Sequence, residues 1–253
     1  MILLHRITSF VLAALVAAGF GTLIYAPEHA GLGVGFLVLI PLLFARLLKW
    51  EGKRPAFWIF LGLPTFLVLS ATFLFLFLEA DWVKWVLMAS VVLGVWLYAE
   101  NIFSFYHLPS TYQAYSLEYL SFVLAVGSGF FAFSGTYGAQ LFLQLPGWVL
   151  ALGIFWITMF LLLSVFWVGK IEHTAAVRFS GVGAVVLTEL FLALGLLPTS
   201  FLANAAGLTI ALYLFVGLAR AYVLNRLSKA VLWRYLVIGC LLFVFVFGTA
   251  KWI

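Results

Sequence analysis

Residues 56–78 read AFWIFLGLPTFLVLSATFLFLFL, a run without one charged side chain. A helix needs roughly 20 apolar residues to cross the hydrocarbon core of a bilayer. The run ends in Phe73-Leu74-Phe75-Leu76-Phe77-Leu78, which is apolar on every face. A membrane barrel strand alternates between lipid and lumen and shows polar residues at every second position. A helix satisfies its own backbone amides, as hydrocarbon demands. This stretch is therefore a spanning helix, and the segments on either side repeat its character.

Outward from it, apolar runs and their interruptions predict nine spans, near 7–25, 31–49, 56–78, 83–105, 119–135, 147–169, 178–197, 202–219 and 234–251. Over the 253 residues, 66% are hydrophobic and 8% charged, against about 25% charged in a soluble domain. Nine spans leave short connections only. A soluble catalytic domain, a nucleic-acid-binding domain and a large extracellular module are excluded. The expected fold is all-α, a polytopic transmembrane bundle forming one integral membrane domain over 1–253.

The basic residues orient it. With the N-terminus in the cytoplasm, Arg6, Arg46, Lys49, Lys53, Arg54, Lys170, Arg178, Arg220, Arg226, Lys229 and Arg234 fall inside, and Lys84 and Lys251 outside. That asymmetry satisfies the positive-inside rule and puts the C-terminus outside. The spans near 83–105 and 119–135 are the weakest, but losing one alone would move every base from Lys170 to Arg234 to the wrong side. Both span or neither does, and both are expected to. The first span is longer than the apolar core of a secretory signal and lacks a small-residue cleavage site before Pro27, so it is read as a retained anchor.

Pro27, Pro55, Pro109, Pro146 and Pro198 fall near helix ends, where a missing amide proton costs little. Pro41 and Pro64 fall inside helices two and three and are expected to bend them. Small-residue runs at Gly31-Leu-Gly33-Val-Gly35, Gly127-Ser128-Gly129 and Gly181-Val-Gly183 permit close helix approach. None has the preceding strand and full spacing of a dinucleotide loop.

The chemical inventory is thin. Asp81 is the one aspartate. Paired aspartates for a magnesium-held diphosphate or for intramembrane aspartyl proteolysis are therefore absent. His5, His29, His107 and His173 all lie near helix ends, and Cys240 has no disulfide partner within the chain. No metal and no cofactor is expected.

Two places remain as candidate sites. Glu189 lies amid Val186-Leu187-Thr188-Glu189-Leu190-Phe191, near the middle of span seven. A charge there is costly, which makes the residue a functional candidate. With Thr188 and with Asn204 on the next helix, it could form a proton- or cation-responsive site of a permease. The competing reading is a protonated carboxyl bonded between helices. Arg178, eleven residues earlier, is roughly 16 Å away along the axis and too far to pair directly.

The second place is YAENIFSFYHLPSTYQAYSLEY, residues 98–119, which holds five of the ten tyrosines and no lysine or arginine. Glu100, Asn101, Tyr106, His107, Tyr112, Tyr115 and Glu118 could line a cytoplasmic mouth that binds a polar head group or presents an acid and a base. The competing reading is an interfacial aromatic belt. The basic rim, Arg46 to Arg54 and Arg220 to Arg234, is expected to contact anionic membrane lipids.

From Glu189 onward, TELFLALGLLPTSF, LARAYVLNRLSKAVLWRYL and GTAKW resemble the C-terminal third of an uncharacterised family of multi-pass membrane proteins from uncultured, small-genome bacteria. YHLPSTYQAYSLEYLSF resembles their central loop. The resemblance implies a polytopic architecture and a bacterial setting, and no activity; the expected location is the cytoplasmic membrane. The expected function is that of a non-enzymatic membrane component acting through helix packing with a protein partner or with itself. A permease centred on Glu189 and an enzyme acting on a lipid head group are the alternatives.

Overall fold

The computed structural model describes residues 2–50, 52–53, 55–110, 112–250 and 252, with side chains from residue 6 onward. The side chains of His5, Arg54 and Lys251, used in the reading above, lie outside that set. The fold is all-α. Among the described residues there are nine long helices: α1 (Ile2–Tyr25), α2 (Ala30–Leu47), α3 (Pro55–Phe75), α4 (Asp81–His107), α5 (Ser116–Phe142), α6 (Gly147–Val168), α7 (His173–Leu194), α8 (Phe201–Val223) and α9 (Lys229–Thr249). Each is long and apolar enough to cross a membrane, including α4 and α5, the two that sequence left weakest. Helix α5 runs seven residues past its expected end, and α7 and α9 each begin five residues early. In α5 and α7 the extra turns carry mostly polar or small residues, which a hydropathy pattern undercounts, and α9 starts early behind its Ser228 cap.

The helix ends follow local chemistry. Ser200 and Ser228 accept hydrogen bonds from the amides of Ala203 and Val231, both at 3.3 Å, and so start α8 and α9. Pro55 is the first residue of α3 and Pro146 directly precedes α6, where a missing donor breaks no helix bond. Pro41 and Pro64 do lie inside α2 and α3, and both helices continue through them. At their C-termini α2, α6 and α8 close in one way: Trp50 N to Ala45 O, Ile171 N to Phe166 O and Arg226 N to Ala221 O. This six-to-one bond puts the residue before it in the left-handed region, here Lys49, Lys170 and Asn225, where glycine is the commoner choice.

The chain divides into two compact units, Met1–Leu124 and Ala125–Ile253, with the boundary inside α5. In the first, α1 packs on α2 and α4 around Leu12, Val16, Phe20, Phe44, Val95 and Tyr98. Glycines bring α1 and α2 close together. A Cβ on Gly33 would lie 2.9 Å from the Gly19 carbonyl oxygen, and one on Gly19 would lie 2.7 Å from Leu37. In the second unit, residues 132–139 of α5 are buried without interruption. There α6 packs on α7, α7 on α8 and α8 on α9. Three glycines draw α8 and α9 together: Gly207 receives Phe247, Gly217 receives Tyr235, and Gly239 receives Leu214. Gly239 is the one buried residue of α9 among those described.

The small-residue runs resolve to one working glycine each. Gly33, Gly129 and Gly183 face neighbouring atoms that a Cβ would crowd, whereas Gly31, Gly35, Gly127 and Gly181 face open space. Close packing in a membrane comes from such small residues at the contact itself. Their neighbours two positions away point elsewhere around the helix.

Candidate functional site

The mouth residues belong to the first unit, and several of them are tied to neighbouring helices or turns. Glu100, on α4, accepts a 2.8 Å hydrogen bond from the hydroxyl of Ser9 on α1. The Arg6 guanidinium lies 4.0 Å from its other oxygen. Ser9 is fully buried, whereas the Arg6 side chain is 65% exposed. The hydroxyl bond therefore dominates, since exposed ion pairs contribute little. One residue on, the Asn101 amide donates to the Leu97 carbonyl. Its oxygen accepts from Ser116, the first residue of α5, at 2.6 Å. One turn earlier the buried Tyr98 hydroxyl lies 3.5 Å from that of Ser121.

His107 closes α4. Its Nε2 lies 3.3 Å from the carbonyl oxygen of Leu47, the last residue of α2. A carbonyl only accepts, so that nitrogen carries the proton in this bond. The ring stacks on Phe103 at 5.4 Å. This bond gives a partner to one of the C-terminal carbonyls a helix leaves open. Lys49 ties the same two ends together through the Tyr106 carbonyl at 3.5 Å. Tyr112 packs edge-on against Phe105 and accepts the Leu117 amide at 3.3 Å, serving the open N-terminus of α5. Tyr115 is exposed and in the left-handed region, φ 69°. Glu118 is buried in the first turn of α5, where the helix dipole favours an acid.

The mouth is thus a joint in which α1, α2, α4 and the start of α5 are tied by side chains. Sequence reasoning missed Ser9, Ser116 and Ser121. The signal was faint: single serines in the N-terminal halves of apolar helices, read as neutral filler. It also missed Arg6 and Lys49 as members of the joint, having assigned both to topology.

In the second unit, Glu189 lies on α7 five residues before its end, in the middle of the apolar stretch 179–198. Its side chain faces outward. It is exposed, and among the described residues it has no hydrogen-bond or ion-pair partner. The other two members of the expected site are engaged elsewhere. The Thr188 hydroxyl donates to the Ala184 carbonyl of its own helix. The buried Asn204 oxygen accepts from Thr199, which ties the α7–α8 turn to the first turn of α8. Nearby, the Tyr137 hydroxyl donates to the Phe191 carbonyl at 2.8 Å with the two rings 4.6 Å apart, pinning the end of α7 to α5.

Two surface hollows flank these elements. One, of about 200 Å³, runs between α2 and α3 beside Pro41, Leu69 and Thr72. The other, of about 500 Å³, lies at the ends of α7 and α8 beside Phe179, Tyr222 and Asn225. Neither includes Glu189, and neither includes a mouth residue. No three His, Cys, Asp or Glu side chains converge among the described residues as a metal site requires. Chemically, the mouth can hold helix ends together, and Glu189 can donate or accept a hydrogen bond from whatever lies outside α7.

Nothing among curated proteins or solved structures matches the chain. The family model described as "Protein of unknown function (DUF5656)" matches residues 2–249, and the chain belongs to that family.

Proposed function

We propose that the chain is a non-enzymatic, multi-pass component of a bacterial cytoplasmic membrane that works by packing α7 against another membrane-embedded protein surface. Its N-terminus lies in the cytoplasm, its C-terminus outside, and its basic rim rests on anionic lipid. One observation carries the reading: Glu189 presents a carboxyl to the outside of α7, with no partner among the described residues. A carboxyl in hydrocarbon is costly by several kcal/mol when ionised, and an unbonded polar group there is costly even when neutral. A facing helix that bonds it relieves that cost.

A permease would hold this carboxyl on an internal hollow, and an enzyme would leave the His107 and Glu100 atoms available to substrate; neither arrangement has support in the contacts described. The test is photo-cross-linking in native bilayers, with a photoreactive residue in place of Leu192 on the outward face of α7 and, as control, in place of Trp156 on α6. Protein adducts from position 192 and not from 156 are expected. Lipid adducts alone from both positions would sink the proposal. In reconstituted vesicles, Glu189→Gln is expected to leave solute and proton flux unchanged.

A further inference from the structure

The outward line of α7 has a regular spacing. Arg178, Val182, Val185, Glu189 and Leu192 are all exposed and follow one another at intervals of four, three, four and three. That is the seam of a left-handed coiled coil, with Val182 and Glu189 at one core position and Arg178, Val185 and Leu192 at the other. The opposite line, Ala176, Ser180, Gly183, Leu187, Phe191 and Leu194, is buried within the chain. Helix α7 therefore has an inner line that is covered within the chain and an outward seam that is not.

From this we infer that the outward seam of α7 binds the same seam of a second copy, forming a parallel two-fold dimer with the two Glu189 carboxyls bonded to each other. This rests on the association reading above and names its partner. Three features favour a second copy over a different protein. A neutral carboxyl both donates and accepts, so two of them close a reciprocal pair with no other group required. Two copies inserted with the same topology hold residue 189 at the same depth. In a parallel two-stranded seam, the position held by Val182 and Glu189 meets its own counterpart. A lone polar residue at that position fixes register and strand number. Arg178 sits at the cytoplasmic end of the seam, where its long side chain reaches the head groups.

The exposed faces elsewhere supply the contrast. Leu152 on α6, and Leu241, Val244 and Phe245 on α9, offer lipid nothing but apolar surface. Lipid satisfies those faces fully and gives no reason for a protein to cover them.

The experiment uses the full chain, labelled and reconstituted in phosphatidylethanolamine–phosphatidylglycerol vesicles over a series of lipid dilutions. The dimer fraction is read by single-molecule photobleaching. The intact chain is expected to dimerise. Glu189→Leu should shift the dilution midpoint by about tenfold toward monomer, the scale of interhelical polar bonds in a membrane. Glu189→Gln, which keeps a donor and an acceptor, should hold most of the dimer. In a Cys240→Ser background, oxidation should link Val182→Cys to its counterpart and should not link Trp156→Cys. Helical circular dichroism and a single elution peak confirm that each variant folds. A monomeric intact chain, or a dimer that Glu189→Leu leaves unchanged, overturns the proposal. If the intact chain is monomeric while position 192 still forms protein adducts in native bilayers, self-pairing is wrong and association with another protein stands. If both fail, both readings fall.

Discussion

Glu100 and Glu189 are both acidic residues set in apolar helices, and their surroundings are opposite. Glu100 looks inward across α4 to the buried hydroxyl of Ser9. Glu189 looks outward from α7 and has no hydrogen-bond or ion-pair partner among the described residues. The glycines repeat the contrast, with Gly33 and Gly183 pressed against neighbours and Gly35 and Gly181 facing open space. A membrane bundle does not separate inside from outside by polarity, because lipid is as apolar as a core. It separates them by what each residue touches. Density of polar side chains marks a joint here, and isolation of one marks an unfinished contact.

The sharpest way to break this contrast is at the glycines. Gly33→Leu would force a side chain onto the Gly19 carbonyl and the Thr22 hydroxyl, and backbone cannot step aside. It is expected to cost about 3 kcal/mol, the upper range for overpacking. Gly35→Leu, two residues away, should leave stability unchanged within about 0.5 kcal/mol, as outward substitutions do. Reversible unfolding in mixed micelles measures both, and equal losses would refute the assignment of α2 faces.

The acids come next. Glu100→Leu removes the acceptor of Ser9, a loss of about 1.5 kcal/mol for a hydrogen bond to a charged group. Ser9 keeps an alternative in the Arg6 carbonyl at 2.8 Å, so the loss should not be larger. Glu189→Leu, measured on dilute chain in micelles where copies are apart, should be neutral or slightly stabilising. The two variants thus separate by sign or by size. His107→Ala, which frees the Leu47 carbonyl, should cost about 1 kcal/mol, the net worth of one hydrogen bond. It should leave lipid turnover in native membranes unchanged, and altered turnover would return the mouth to the list of reactive sites.

Much of this architecture was legible in the residues. Nine apolar runs became nine long helices among the described residues, because burying backbone in hydrocarbon leaves the helix as the one local solution. Pro55 and Pro146 fell at helix starts, where a missing donor is tolerated, whereas Pro41 and Pro64 lie inside α2 and α3 as expected. Which face of each helix turns inward was not legible, since Val182 and Leu187 look alike in sequence and lie on opposite sides of α7. The mouth was located by its tyrosines, yet its bonds run through Ser9, 91 residues from Glu100, and through Ser116, which meets Asn101 only after α5 turns back. Glu189 was found by its cost in hydrocarbon. Its direction, which decides between an inner site and an outer contact, follows from packing of α6 and α8 on α7, and no single-sequence pattern encodes that.

The smallest effect tests the joint from the other side. Lys49 ends α2 with φ 56°, a left-handed backbone that its Cβ disfavours by about 1 kcal/mol. It compensates through a long 3.5 Å bond from Nζ to the Tyr106 carbonyl, at the surface. Such an exposed bond is worth only a few tenths of a kcal/mol. Relief of the backbone should therefore win. Lys49→Gly is expected to stabilise the first unit by about 0.5 kcal/mol, less than the full backbone term because glycine also loosens the unfolded chain. A loss of stability instead would mean that Lys49 holds α2 to α4 more firmly than its length and exposure imply. The joint would then depend on its surface cation as well as on its buried hydroxyls.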